Sequence, residues 1–145
     1  HSSARQKAAS RSVAFQVDLC DPLPLVQADG EKILWVILQL VDNAIKFTPN
    51  GGMVRLSIQP EQGRMIMVSV CDTGIGIPPD RMGELFEPFH QLDGSAKRRY
   101  GGTGLGLALV RDILHAHGSV IEVESEEGKG STFRFPLLLA KDGRE

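Results

Sequence analysis

The segment Tyr100–Leu107, with the sequence YGGTGLGL, is the strongest restriction on the structure of this chain. Four glycines fall within the six positions 101–106, and an apolar run compatible with a helix follows at 107–114. Glycine lets backbone N–H groups approach an anion closely, and the start of a following helix adds a favourable dipole. The segment therefore predicts a loop and helix start that can hold a polyphosphate.

Length and composition narrow the class of protein. The chain has 145 residues, of which 41% are hydrophobic and 23% charged, as in an ordinary globular domain. The net charge of -2 argues against nucleic-acid binding, and the apolar runs are too short to cross a membrane. We expect a monomeric fragment that contacts neither nucleic acid nor membrane. Cys20 and Cys71 lack the spacing of a metal or redox motif and are interpreted as reduced thiols.

Alternating apolar residues predict strands, and apolar residues at helical spacing predict helices. A polar start at residues 1–12 is interpreted as an expression scar or linker. A short helix is expected near Pro79–Leu85. The strands have one apolar face, which indicates a two-layer α/β sandwich with a mixed, mostly antiparallel sheet of about five strands, covered on one face by about three helices. The predicted elements are strand 13–19, helix 32–47, strands 53–59 and 65–71, helix 104–117, and strands 119–125 and 131–137.

The first predicted helix has an apolar face and a polar stripe. Gln39, Asn43 and Lys46 recur on neighbouring turns, with Phe47 beside them. An Asn carbonyl oxygen suits one position of an octahedral Mg²⁺ whose other ligands are phosphate oxygens and water, and a lysine can neutralise phosphate charge. A solvated helix face is the alternative interpretation of the stripe taken alone. The apolar face is predicted to comprise Ile33, Leu34, Ile37, Leu38, Val41, Ala44 and Ile45.

Five segments, in this order, resemble the motifs of sensor histidine kinases. LQLVDNAIKFTPNGG resembles the N box, CDTGIGIP the first glycine box, ELFEPFHQ the F box and YGGTGLGLAL the second glycine box, while EGKGSTFRFPL resembles the closing strand-turn-strand. The chain is similar to the catalytic ATP-binding domain of two-component kinases, in the superfamily that includes DNA gyrase and the Hsp90 chaperones. The resemblance implies a Bergerat ATP-binding fold over residues 13–140, an ATP lid at 90–104 and a tail at 141–145.

The resemblance assigns roles around a nucleotide. Asp72 would accept a hydrogen bond from the exocyclic amine of adenine, a group that guanine replaces with a carbonyl. Gly74 and Gly76 would let the backbone pass close to the base, although a simple turn is the alternative. Asn43 matches the Mg²⁺ ligand and Lys46 a phosphate contact. Further nucleotide contacts are expected at Phe47, which could equally fill the core, and at Ile77, Tyr100, Gly102, Thr103, Gly104, Leu105, Gly106 and Thr132.

Basic residues in the region resembling the lid suggest how the γ-phosphate is held. Lys97, Arg98 and Arg99 are consecutive, and a basic lid can close over the γ-phosphate and later release it. Arg98 is expected to act in catalysis and Arg99 in nucleotide binding, although the sequence leaves open which of the two contacts phosphate. A solvated loop is the alternative for at least one of the three charges.

None of the histidines fits the phosphoacceptor of the resembled family. That residue is usually followed by an acidic one, whereas Gln91, Ala116 and Gly118 follow the three candidates. We interpret His90, His115 and His117 as structural, and expect the acceptor on a separate dimerisation domain absent from this fragment.

The resemblance implies a protein histidine kinase of the cytoplasm, whether or not its parent is anchored in a membrane. The domain would bind Mg²⁺ and ATP and transfer the γ-phosphate to the acceptor histidine. The receiver domain of a response regulator would be its second partner.

Position 39 separates this interpretation from two others. Members that hydrolyse ATP, and related serine kinases, have a glutamate general base one turn before the metal-binding asparagine. Gln39 stands there, and an amide cannot take up a proton at neutral pH. An ATPase or serine kinase is therefore disfavoured, whereas a nucleotide-gated interaction module that transfers no phosphate remains an alternative.

Overall fold

The computed structural model describes residues 12–20, 26, 28–78, 80, 82, 85–86 and 104–139, with the backbone alone for 104–106. The elements follow the predicted order and differ from the predicted bounds by up to three residues. They are β1 (Ala14–Leu19), α1 (Gly30–Phe47), β2 (Met53–Glu61), β3 (Met65–Asp72), α2 (Gly104–Ala116), β4 (Glu122–Glu126) and β5 (Gly130–Leu138).

The five strands form one mixed sheet with the order β1-β2-β3-β5-β4. β1 runs parallel to β2, and the other neighbouring pairs are antiparallel. This confirms the predicted architecture, with two α-helices among the described residues where about three were expected. Most of the helix predicted near Pro79–Leu85 lies outside those residues. Within the described part of the chain, no helix is both long and apolar enough to span a membrane.

The core lies between the sheet and the two helices. Alternate residues of β2, β3 and β5 are buried beside the inner stripe of α1. That stripe includes Val36 and Leu40, which are almost inaccessible, whereas Leu34 is 54% exposed. The assignment of Leu34 to the buried face was wrong, because each residue turns about 100° around a helix and the stripe follows Ile33 at spacings of three and four.

Capping bonds fix both ends of α1. At its start, the Lys32 N–H donates to the Asp29 carboxylate over 3.2 Å. At its end, the fully buried Thr48 donates its hydroxyl proton to the Ala44 carbonyl over 2.6 Å. These bonds satisfy backbone groups that a helix terminus leaves without partners. The end of α1 is thereby fixed where it meets the loop after β3.

His117 joins the end of α2 to the start of α1. Its Nε2 accepts a hydrogen bond from the Asp29 N–H over 3.0 Å. Its Nδ1 lies 2.8 Å from the Ile113 carbonyl oxygen, which can only accept. The two contacts together define a neutral ring with the proton on Nδ1. His117 therefore has the kind of structural role expected from the sequence.

We expect His117→Ala to lower the free energy of unfolding by about 1–2 kcal/mol, because two hydrogen bonds are lost and the Asp29 N–H loses its acceptor. Urea denaturation followed by circular dichroism measures the change. The matched control is His115→Ala, since His115 is exposed near the same end of α2. Equal effects of the two substitutions would contradict this role for His117.

Candidate nucleotide-binding site

Asp72 ends β3 as a buried carboxylate, with 6% of its surface exposed. Its Oδ1 accepts a hydrogen bond from the Gly74 N–H over 2.8 Å, and the Ser131 N–H donates to the same carboxylate. Burial raises the pKa of Asp72, and the two backbone bonds oppose that rise. An ionised carboxylate offers about four acceptor sites, so two donors leave capacity for a ligand. The site therefore fits a ligand that donates a hydrogen bond.

The loop after Asp72 is held by three parts of the fold. The Thr73 N–H donates to the carbonyl of Met53 at the start of β2, over 3.0 Å. The Ile75 N–H donates to the Phe47 carbonyl at the end of α1, over 3.2 Å. The carbonyl of Ile75 in turn accepts from the Gly128 N–H in the β4–β5 turn, over 2.7 Å. These bonds fix the loop's position relative to α1 and the sheet.

Two glycines allow the loop to pack this closely. A Cβ at position 74 would collide with the Phe47 carbonyl oxygen and lie 2.8 Å from the Asp72 Oδ1. Gly76 has a φ of +74°, and a Cβ there would collide with the Glu126 carbonyl oxygen. Both glycines are thus required by contacts within the protein. Their expected approach to the base stays a prediction.

We expect Gly74→Ala to lower the free energy of unfolding by about 1–3 kcal/mol, because backbone and carboxylate must move to admit the methyl group. Chemical denaturation measures the change. Gly30→Ala is the control, since a Cβ at Gly30 meets nothing within 4 Å and alanine favours a helix. A Gly74→Ala variant as stable as the Gly30→Ala variant would contradict the close packing of the loop.

The polar stripe of α1 runs toward this loop. Gln39, Asn43 and Phe47 are half-buried, and Lys46 is exposed on the last turn. Because the Phe47 carbonyl binds the loop, the stripe ends beside it. Among the described residues, no group of three or more His, Cys, Asp or Glu side chains could hold a metal ion. A Mg²⁺ bound through the Asn43 oxygen would take its other ligands from phosphate and water.

The register of the sheet separates Thr132 from Asp72. Thr132 points to the open face of the sheet, where its hydroxyl donates to the Cys71 sulfur over 3.2 Å. Ser131 is instead the register partner of Asp72 and is 7% exposed on the same face. The geometry thus gives no support to a nucleotide contact at Thr132. The position of Ser131 beside Asp72 was not predicted, although its spacing of two from Phe133 is a signal that could have placed Ser131 on the inner face.

The remaining expected contacts are only partly described. Ile77 is 9% exposed and packs within the hydrophobic core, so any contact with a base would use the edge of that core. Gly104, Leu105 and Gly106 form the first residues of α2, as expected for a helix that begins in the glycine run. Outside the described residues lie Arg98, Arg99, Tyr100, Gly102 and Thr103.

Comparison with known proteins identifies the family. A family model described as histidine kinase-, DNA gyrase B-, and HSP90-like ATPase matches residues 28–141. The circadian input-output histidine kinase CikA of Synechococcus elongatus is 41% identical over 131 residues, which cover 89% of this chain and 17% of that protein. The chain thus corresponds to a small part of this relative.

Solved structures share the fold. Full-length ShkA in complex with AMPPNP superposes with a TM-score of 0.79 at 32% identity, covering 96% of this chain and 30% of that one. Histidine kinase ThkA in complex with response regulator protein TrrA gives a TM-score of 0.74 at 25% identity, covering 94% and 37%. The chain belongs to the histidine kinase-, DNA gyrase B- and HSP90-like ATPase family, in which it corresponds to the catalytic ATP-binding domain of histidine kinases.

Proposed function

We propose that this chain binds Mg²⁺ and ATP and donates the γ-phosphate to a histidine on a separate dimerisation and phosphoacceptor domain. The observation that supports this most strongly is the buried Asp72 carboxylate, which has acceptor capacity left and whose loop is hydrogen-bonded to the end of α1, where the polar stripe ends. A buried acceptor selects a ligand that donates, and adenine presents an amine where guanine presents a carbonyl. ShkA, which shares this fold, forms a complex with AMPPNP, and this supports an adenine nucleotide as the ligand.

Each residue of the site has one task in this proposal. Asp72 accepts a hydrogen bond from the adenine amine, while Gly74 lets its loop pack against the end of α1 and Gly76 lets it pack against the end of β4. Asn43 supplies one oxygen ligand to Mg²⁺, which would neutralise charge on the transferred phosphoryl group. Lys46 is exposed one turn closer to the loop, where its ammonium group can reach phosphate.

The lid is the second component of the proposed site. Residues 90–104 would close over the nucleotide, with Arg98 at the γ-phosphate during transfer and Arg99 binding the phosphate chain. Tyr100, Gly102 and Thr103 would line the closed state. Because α2 begins at Gly104, the positive end of its dipole would contribute to holding the phosphates. Such closure would exclude water that competes with the histidine for the phosphoryl group.

Two partners follow from this reaction. The neutral imidazole of the acceptor histidine is itself nucleophilic, so the domain needs no strong base of its own. The phosphohistidine formed would pass its phosphoryl group to the receiver domain of a response regulator, the class of protein bound to ThkA. Because the proposed reaction needs both ATP and a receiver domain, we propose that it takes place in the cytoplasm.

The strongest rival class is a nucleotide-gated interaction module, which would bind ATP without transferring phosphate. Gln39 argues against ATP hydrolysis and serine phosphorylation, because an amide accepts no proton at neutral pH. It does not distinguish a histidine kinase from a module that only binds ATP, because both bind the nucleotide. Binding alone therefore does not separate the rival from a kinase. Phosphotransfer to an acceptor domain does.

Calorimetric titration of the chain with nucleotide in the presence of Mg²⁺ tests the first half of the proposal. We expect binding of ATP that is about 100-fold or more tighter than binding of GTP, because the carbonyl of guanine would meet the Asp72 carboxylate acceptor to acceptor. Equal affinities for the two nucleotides would contradict adenine recognition by Asp72.

A further inference from the structure

A pair of serine hydroxyls extends the polar site at Asp72 into β4. Ser125 on β4 is the register partner of Ser131 on β5, which is in turn the partner of Asp72 on β3. The hydroxyl oxygens of Ser125 and Ser131 lie 2.8 Å apart. The three residues therefore form one row across three strands, on the face of the sheet that holds Asp72. Neither serine has a role in the proposed function so far.

The partners of Ser125 restrict the direction of its hydrogen bonds. Its Oγ accepts from the Ile77 N–H over 2.8 Å, and this donor cannot act as an acceptor. Its Oγ also lies 3.1 Å from the Gly130 carbonyl oxygen, which can only accept. All three contacts of Ser125 are hydrogen bonds at once only if Ser125 donates to Gly130 and Ser131 donates to Ser125.

This arrangement gives Ser131 a defined polarity. With its single proton directed at Ser125, the Ser131 oxygen offers only lone pairs to its other side. The neighbouring Asp72 carboxylate is also an acceptor, so the row presents two acceptors together. An exocyclic amine has two N–H groups and can satisfy both, directly or through a water. The carbonyl of a 6-oxopurine would face both acceptors without a proton to offer.

We propose that Ser125 is a positioning residue that keeps Ser131 a hydrogen-bond acceptor and thereby sharpens the selection of adenine over 6-oxopurine nucleotides. The inference rests on the proposed adenine site at Asp72. Removing the Ser125 hydroxyl frees the proton of Ser131, which can then donate to a carbonyl at position 6 of the purine. Selectivity falls while the binding of ATP persists.

The test compares ATP with ITP, because hypoxanthine lacks the 2-amino group of guanine and has a carbonyl in place of the adenine amine. Calorimetry on the chain in Mg²⁺ gives the ratio of the two affinities. We expect Ser125→Ala to lower the preference for ATP about three- to tenfold, the value of one hydrogen bond. Ser125→Thr, which retains a hydroxyl, should restore the preference. Ser69→Ala, a half-buried serine on β3 that points to the open face, is the control.

A double-mutant cycle separates this role from simple loosening of the loop. Loss of the Ile77 bond would weaken ATP and ITP binding together and leave their ratio unchanged. If Ser125 acts through Ser131, Ser125→Ala will not change the ratio in a Ser131→Ala background. An unchanged ratio in Ser125→Ala, or an equal fall in both backgrounds, would overturn the inference. Failure of the unsubstituted chain to prefer ATP over ITP would instead overturn the adenine site itself.

Discussion

Asp72→Asn is expected to weaken binding of Mg²⁺·ATP by about 100-fold or more while the fold stays intact. The N–H groups of Gly74 and Ser131 both require an acceptor at this position. They will orient the amide oxygen of the new side chain toward themselves, which directs its NH₂ group toward the ligand. That donor would face the donor amine of adenine. Calorimetric titration with ATP measures the loss.

The same orientation predicts a change in preference. An NH₂ group at position 72 can donate to the carbonyl of hypoxanthine, so ITP should lose less affinity than ATP and can become the better ligand. The matched control is Asp112→Asn, since the Asp112 side chain on α2 is 65% exposed. Wild-type affinity for ATP in the Asp72→Asn variant would show that the adenine site lies elsewhere.

Asp72→Asn should not lower the stability of the folded chain, although it weakens the binding of ATP. Burial raises the pKa of Asp72, so the ionised carboxylate destabilises the folded chain at every pH above that folded-state pKa. The destabilisation is relieved as the pH falls through the folded-state pKa toward the value in the unfolded chain. Asp72→Asn should therefore unfold at a temperature equal to or above that of wild type at pH 7, and this advantage should shrink in acid. A thermal melt at several pH values measures it.

Asn43→Ala is expected to reduce phosphotransfer by about 100-fold or more, because the proposed Mg²⁺, which would neutralise charge on the phosphoryl group, would lose its protein ligand. ATP binding should fall much less, since Asp72 and its loop are untouched. The rate of label transfer at saturating ATP measures the effect on chemistry, and calorimetry measures the effect on binding.

Asn50→Ala is the matched control for this substitution. Asn50 is the chain's second asparagine and lies exposed in the turn after α1. Transfer at the wild-type rate in Asn43→Ala would remove Asn43 from the metal site. A loss of folding, visible by circular dichroism, is not expected, because Asn43 is only half-buried on the polar stripe.

The order and type of the elements were predictable because each has a clear apolar period. β3 and β5 alternate between buried and accessible residues over most of their lengths, and α1 has both a cap and a stop signal. Which residues of α1 face the sheet was harder to predict. Leu34 and Leu40 are equally apolar, and only the direction in which α1 packs on the sheet decides which of them is buried.

The chemistry of the site was more predictable than its geometry. Asp72 was identifiable as a candidate because a carboxylate directly follows an apolar strand and precedes a glycine turn. Whether Ser131 or Thr132 lies on the same face as Asp72 depended on the register of β5 against β3, which pairs residues distant in sequence. The packing role of Gly74 was also hidden, since it depends on the end of α1 approaching the loop after β3.

The most direct test mixes the chain with [γ-³²P]ATP, Mg²⁺ and the dimerisation and phosphoacceptor domain that is proposed as its partner. We predict label on the acceptor domain that is labile in acid and stable in base, as a phosphohistidine is, and label transfer that is about 100-fold or more slower when Asn43→Ala replaces the unsubstituted chain. Confirmed ATP binding without any transfer of label would contradict the account and favour the interaction module.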